Sequence, residues 1–423
     1  MIAPVPVLTP ADSARAVGAV YTISLLALLP ILVAAATAVA LRRASAEGRV
    51  LVWRAAIVLL ISMFVVRPFT GQSTAWVVPA ILASPLVALG RVQMTTLALG
   101  SHDGMDQVSN AGVVMMIQVL LAVYVTGAIV VLAPTVIAFA RARQALSSAS
   151  PAGPEWDDLL DDSRRRLGIG RRVRLFVSRD VGIPMTWGCL RPVVLLPHAI
   201  AEWSANERRL ALMHELTHVR RDDWLFAVVA RVSCAAYWFH PGVWFLARRL
   251  REDCEIACDD AVLACGARQS DYASLLMRAA ESLRCDSAPP RAALAFSRRS
   301  GLRRRLSLIV DTGRAVRPLA RRWRMAAATA TLGLVWPMSA IQLAPTRDVL
   351  TTLMRDVNWQ TRAYAVLGLA QRPDSVAVAR TAAEWDPNPR VRAWARYALG
   401  ARGLAVPLES SPEVSRDVPI ARP

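Results

Sequence analysis

Ser204-Ala205-Asn206-Glu207 opens a run that continues through Leu210, Leu212 and Met213 to His214-Glu215-Leu216-Thr217-His218. A serine followed three residues later by glutamate is the signature of a capping box, in which the two side chains satisfy exposed backbone N–H groups at a helix start. His214 and His218 stand four residues apart, so both imidazoles share one helical face and can bind one metal ion. Glu215 comes one step after His214, where its carboxylate can reach a water that the metal activates. Only five histidines occur in 423 residues, which makes a chance pairing rare. The pattern predicts Zn2+ on His214 and His218, with Glu215 as general base.

Catalytic zinc takes three protein ligands and keeps one position open. Downstream, the candidates for the third are His240 and the acidic cluster Glu252, Asp253, Glu255, Asp259 and Asp260, on a helix-like stretch over residues 243–265. Spacing does not choose between Glu252 and Glu255. His240 precedes Pro241 between two apolar runs, where it could stabilise an oxyanion or cap a turn. Cys254 and Cys258 read as packing residues, and His102 and His198 as incidental. Upstream, residues 147–154 read as a linker and 156–167 as a helix. The β-like runs 173–177 and 192–196 suggest a small sheet ahead of the zinc helix. Residues 224–239, apolar except for Arg231, are expected to pack on other spans or the membrane face, which puts the site near the inner membrane surface.

Beyond this segment the chain is very apolar: 54% hydrophobic residues and a mean hydropathy of +0.35. Intrinsic disorder is excluded as the main state. Residues 18–41, 50–66, 111–140 and 325–344 are long apolar runs, broken only by Arg54 in the second. Each is near the roughly 20 residues that cross a bilayer core. Residues 75–89 are apolar but short and hold Pro79 and Pro85, so they read as re-entrant or interfacial. The first run lacks a basic flank and is long for a signal peptide, so it reads as an anchor.

The net charge is +18, and every basic residue is arginine. Without lysine, Schiff-base chemistry, Walker A loops and Ser-x-x-Lys acylation are excluded. Segment 141–324 holds 32 arginines against 20 acidic residues, and the loop 42–49 holds three against one. By the positive-inside rule both face the cytoplasm, while the N-terminus, 67–112 and 345–423 face outward. All six cysteines lie in 141–324, which argues against disulfide stapling. Residues 285–324 carry eleven arginines and suit anionic headgroups; no nucleic-acid motif accompanies them, so no direct nucleic-acid binding is expected.

His214-Glu-Leu-Thr-His-Val-Arg-Arg-Asp-Asp223 resembles the zinc helix of the BlaR/MecR class of membrane metallopeptidases. Phe239-His-Pro-Gly-Val-Trp244, Arg249-Leu-Arg251 and Glu255-Ile-Ala-Cys-Asp-Asp-Ala-Val-Leu263 resemble its second signature, and Leu190-Arg-Pro-Val-Val-Leu-Leu-Pro197 its strand before the zinc helix. The likeness covers residues 15–344, spans included. It implies a gluzincin of the Glu-x-x-x-Asp type: Glu255 as third ligand and Asp259, one turn on, as the carboxylate that orients a ligand histidine. It also implies a signal-driven protease that cleaves a cytoplasmic protein such as a transcriptional repressor, and possibly itself.

The tail departs from the best-known members. They carry a penicillin-binding sensor after the last span; residues 345–423 hold no lysine for the acylation motif, so penicillin sensing by serine acylation is not expected of them. Instead Asp356-Val-Asn-Trp-Gln-Thr-Arg-Ala-Tyr-Ala365 aligns with Asp386-Pro-Asn-Pro-Arg-Val-Arg-Ala-Trp-Ala395 at an offset of 30, a HEAT-like pattern. Two repeats are few for a free-standing solenoid, so an unknown outside partner is expected. Residues 404–423 hold four prolines and read as disordered.

The expected architecture is mainly α. An N-terminal membrane region (1–144) precedes a cytoplasmic α+β zinc metallopeptidase domain (145–324). A fourth span (325–344) leads to HEAT-like repeats (345–403) and a tail. The expected function is an integral-membrane zinc metalloendopeptidase of the inner membrane, in contact with membrane lipids. Two rivals are a non-proteolytic receptor with structural zinc, against which an intact Glu215 argues, and a housekeeping quality-control protease.

Overall fold

A computed structural model describes residues 26–41, 45–66, 74–78, 107–285, 298–311, 325–327, 329–331, 333, 341–345, 347–400 and 403–404. The chain divides into two units. One comprises residues 1–22, 72–121 and 341–423, and the other 23–71 and 122–340.

The larger unit begins with α1 (Leu26–Ala40) and α2 (Ala46–Val66). β1 (Thr74–Val78) belongs to the other unit; α3 runs over Gln107–Ser147 with Pro134 inside it, its residues from 122 onward in the larger unit. Among the described residues two helices are long and apolar enough to cross a membrane, α2 and residues 118–147 of α3. α3 leaves Val119, Val123, Ile129, Val130, Val136 and Ile137 exposed, an uncovered apolar surface suited to hydrocarbon rather than water.

A four-stranded sheet follows: β2 (Ser150–Pro151), β3 (Arg174–Ser178), β4 (Met185–Trp187) and β5 (Val193–Pro197), in the order β2-β3-β5-β4. β3 and β5 are parallel, and β4 is an antiparallel edge strand on β5. β5 is buried at every position, as its unbroken Val-Val-Leu-Leu run requires of a central strand. α4 (Asp157–Leu167) precedes β3 and ends on Gly168, whose φ of 66° needs a residue without a Cβ penalty.

α5 (Ala205–Arg221) starts with the capping box the sequence announces: Ser204 Oγ accepts from the Glu207 N–H and Glu207 Oε2 accepts from the Ser204 N–H. Asp222, at φ 55°, ends α5 and turns the chain at once into α6 (Asp223–Ala236). α7 (Pro241–Ala264), α8 (Gln269–Cys285) and α9 (Arg298–Val310) complete the unit. Leu210, Leu212, Met213 and Leu216 of α5 pack with Val194 and Leu196 of β5 and Tyr272 of α8 in one core. Ala46, Val50, Trp53, Ile57 and Leu60 of α2 share a second core with Ala230 and Cys234 of α6 and Val243, Leu246, Leu250 and Cys254 of α7. The apolar stretch after the zinc motif therefore packs on α2.

Two expectations change. The fourth predicted span is helical at 325–327, 329–331 and 333, but its last residues join β6 (Ile341–Pro345), which pairs in parallel with β1. β1 likewise overlaps the start of the segment expected to be re-entrant, whose remainder, 79–89, lies outside the described residues. Residues 18–25, 286–297, 312–324 and 405–423 also lie outside them.

In the smaller unit, α10 (Arg347–Leu353), α11 (Trp359–Ala370), α12 (Val376–Trp385) and α13 (Pro389–Gly400) pack through alanine-rich faces. The sequence repeat is a structural one. The Asn358 N–H donates to Asp356 Oδ1 at 2.8 Å, and the Asn388 N–H to Asp386 Oδ1 at 2.9 Å. Arg362 Nη1 donates to the Asp356 carbonyl at 2.8 Å, and Arg392 Nη1 to that of Asp386 at 2.7 Å. Arg362 also pairs with the Asp386 carboxylate at 2.9 and 3.0 Å, tying one repeat to the next.

Candidate metal centre

His214 and His218 project from the same face of α5 with rings perpendicular and centroids 5.0 Å apart. Glu255, from the middle of α7, meets them: its Oε2 is 3.6 Å from His214 Nε2 and its Oε1 3.8 Å from His218 Nε2. Ligand atoms of the three residues all lie within 4.8 Å of one another. Two ligands about 2.1 Å from a tetrahedral ion stand about 3.4 Å apart, so this nitrogen, nitrogen and oxygen set fits a zinc-like cation. Glu252, the rival that spacing left open, turns instead to Arg248 and Arg249 at 2.8 and 3.2 Å.

Each ligand has an outer partner. His218 Nδ1 lies 2.8 Å from Asp223 Oδ2, an approach made possible by the tight turn at Asp222. His214 Nδ1 lies 2.9 Å from the Tyr272 hydroxyl, which donates to Asp259 Oδ1 at 2.7 Å. Asp259 thus reaches its histidine chiefly through Tyr272, its own oxygen being 3.6 Å from His214 Nδ1. Arg305 of α9 binds Asp259 at 2.6 and 2.7 Å and Glu255 Oε2 at 2.8 Å. Burial alone would raise the Glu255 carboxyl, but Arg305 and the two histidines outweigh it and hold it well below the usual carboxylate range. Burial and the Asp259 carboxylate keep the Tyr272 phenol protonated, well above its ordinary value.

Glu215 is buried behind His214, and Thr186 of the edge strand β4 donates to its Oε2 at 2.8 Å. Arg304 comes within 3.6 Å of Glu252 and 3.9 Å of Asp253. Two arginines of the stretch assigned to lipid headgroups therefore face protein carboxylates. Of the two readings left open for His240, the structure shows the cap: its Nδ1 accepts from the Gly242 N–H at 3.1 Å at the start of α7, fifteen residues, about 22 Å of helix, from Glu255.

His218, Asp223 and Cys258 form a second group with metal-ligating atoms, on the outer side of the same histidine. Burial pushes the Cys254 and Cys258 thiols up, with Asp223 adding to the shift. Sequence reasoning missed Asp223, Tyr272, Arg305 and Thr186 as members of the site. Asp223 alone carried a signal, its place at the end of the quoted zinc-helix stretch.

The family model described as BlaR1 peptidase M56 matches residues 19–309. The chain belongs to this family. Among the curated relatives it matches is the regulatory protein BlaR1 of Bacillus licheniformis, 29% identical over 177 residues, 40% of this chain and 29% of the relative. The methicillin resistance mecR1 proteins of Staphylococcus aureus and Staphylococcus epidermidis are each 27% identical over 95 residues, 22% of this chain and 16% of theirs. The chain thus matches less than a third of those relatives' length. The family is described as a peptidase one, and His214, His218 and Glu255 converge as a group able to hold a metal ion.

Proposed function

We propose that this chain is an integral-membrane zinc metalloendopeptidase of gluzincin type. The observation that carries the reading is the convergence of His214, His218 and Glu255 beside a buried Glu215. Zn2+ would supply Lewis acidity and a water of lowered pKa. His214, His218 and Glu255 hold it; Asp223 and Tyr272 fix the two imidazoles so that each Nε2 points inward. Thr186 occupies Oε2 of Glu215, leaving Oε1 to take a proton from water and return it to the leaving amine. Among the described residues the outer edge of β4, beside Glu215, carries no further strand, and an extended substrate peptide would pair there as an added strand.

The sidedness of the arginines supports a protease domain in the cytoplasm and the tail outside an inner membrane. The family supports a regulatory role, in which an outside signal drives cleavage of a cytoplasmic protein such as a transcriptional repressor, and of the chain itself. The repeated Asp356 and Asp386 turns support a HEAT-like tail that meets an extracytoplasmic partner.

The test uses the full chain in detergent with fluorescent casein as probe. A chelator should abolish cleavage and stoichiometric Zn2+ should restore it. Cleavage that survives complete metal removal would sink the reading.

A further inference from the structure

α2 is apolar except at one end, where Arg49, Trp53 and Arg54 all turn toward the helices behind the metal centre. Arg49 Nε and Nη2 donate to Asp253 Oδ1 at 3.1 and 2.9 Å, and Trp53 Nε1 donates to Asp253 Oδ2 at 2.8 Å. Arg54 takes a different partner. Its Nη2 donates to Asp223 Oδ1, while its guanidinium lies over the Phe226 ring, 4.1 Å from the centroid. Asp223 Oδ2 is the oxygen at 2.8 Å from His218 Nδ1. Two hydrogen bonds therefore connect a candidate membrane helix to a candidate metal ligand. An arginine inside an apolar helix is costly and is kept where its partner has a use for it.

We propose that Arg54 is a positioning residue that couples α2 to the metal centre by fixing the Asp223 carboxylate against His218. The inference rests on the metallopeptidase reading above. Asp223 follows the turn at Asp222, and besides Arg54 its carboxylate meets the Cys254 and Cys258 thiols of α7 at 3.5 and 3.7 Å. Arg221 Nε reaches the same Oδ1 at 3.3 Å, but it belongs to the metal helix itself and moves with it. Among the described residues Arg54 is the contact to Asp223 that comes from α2. Hydrogen bonds weaken steeply with misalignment, and the Arg54–Asp223 bond stands one hydrogen bond from the His218 imidazole. A shift or rotation of α2 therefore loosens His218. The span would set metal affinity, and so the fraction of competent enzyme.

The experiment follows Co2+ in the full chain in detergent, by chelator competition and by the visible absorption of the bound ion. Asp223→Asn should weaken binding about tenfold and shift the bands. Arg54→Gln should weaken it several-fold with a shift of the same sign, and Arg54→Lys, which keeps the charge but loses the fork, should fall between it and wild type. The double variant Arg54→Gln/Asp223→Asn should be no worse than Asp223→Asn alone, because Arg54 acts through Asp223. Arg49→Gln, on the same helix but paired with Asp253, should leave spectrum and affinity unchanged even where it lowers the melting temperature. An unaltered spectrum and affinity in Arg54→Gln, or additive losses in the double variant, overturns the coupling while the metal reading stands. A wild-type chain that binds no Co2+, or binds it as well after His214→Ala, overturns both. Should Arg54→Gln fail to fold, Arg54→Lys decides: a wild-type spectrum overturns the proposal and a shifted one supports it.

Discussion

Tyr272 shows how far a single side chain can matter without leaving a trace in sequence. A tyrosine 58 residues from His214 has no periodicity or motif to mark it, yet its hydroxyl bridges His214 Nδ1 and the Asp259 carboxylate. The pair four residues apart on one helix was legible because helical geometry is local. The third ligand was not, because its choice depends on how α7 crosses α5. Glu252 and Glu255 differ by less than one helical turn, and the structure separates them by partners: arginines for one, imidazoles for the other. Tyr272→Phe removes the hydroxyl while filling the same space. Zinc affinity, read by chelator competition, is expected to fall about tenfold with the far-ultraviolet dichroism unchanged. Unchanged affinity would assign Tyr272 to packing alone.

α5 and α7 illustrate what an element announces about itself. The Ser204–Glu207 box and the β5 valines and leucines were readable because caps and buried strands have local chemistry. α7 begins with His240 as cap and Pro241 in its first turn, a start signal that the sequence left open between capping and oxyanion stabilisation. The distance along α7 decides for the cap. His240→Ala is expected to cost about 1 kcal/mol in chemical denaturation, as lost helix caps do. It should leave the kcat for casein cleavage within about twofold, since 1.4 kcal/mol in the barrier is needed for a tenfold change. A fall in kcat of a hundredfold or more would return His240 to the catalytic machinery. α9 was legible as basic, but its role was not: a run of arginines looks the same whether it meets lipid headgroups or, as Arg305 does, the acidic residues of a metal site.

For the molecule as a whole, charge and hydropathy carried most of the organisation. Net charge concentrated between 141 and 324 marks the segment expected to carry the metal chemistry, while the structural unit that holds it also takes in residues 23–71. The β1–β6 pairing was invisible to it, since strands more than 250 residues apart share no local pattern. Their parallel pairing joins segments 72–121 and 341–423 in one unit, as expected if both lie on the same side of a membrane. Alkaline phosphatase fused after Gly400 should be active, and fused after Ala264 inactive, in a bacterial host. The opposite pattern would reverse the topology.

The central claim is that His214, His218 and Glu255 hold a cation while Glu215 moves the proton. Glu215→Gln tests it most directly, because it removes the base and leaves all three ligands in place. Bound zinc and casein cleavage are measured on the same full-length preparation. The account predicts one zinc per chain, as in wild type, with cleavage reduced at least a thousandfold. Equal zinc with undiminished cleavage would contradict it.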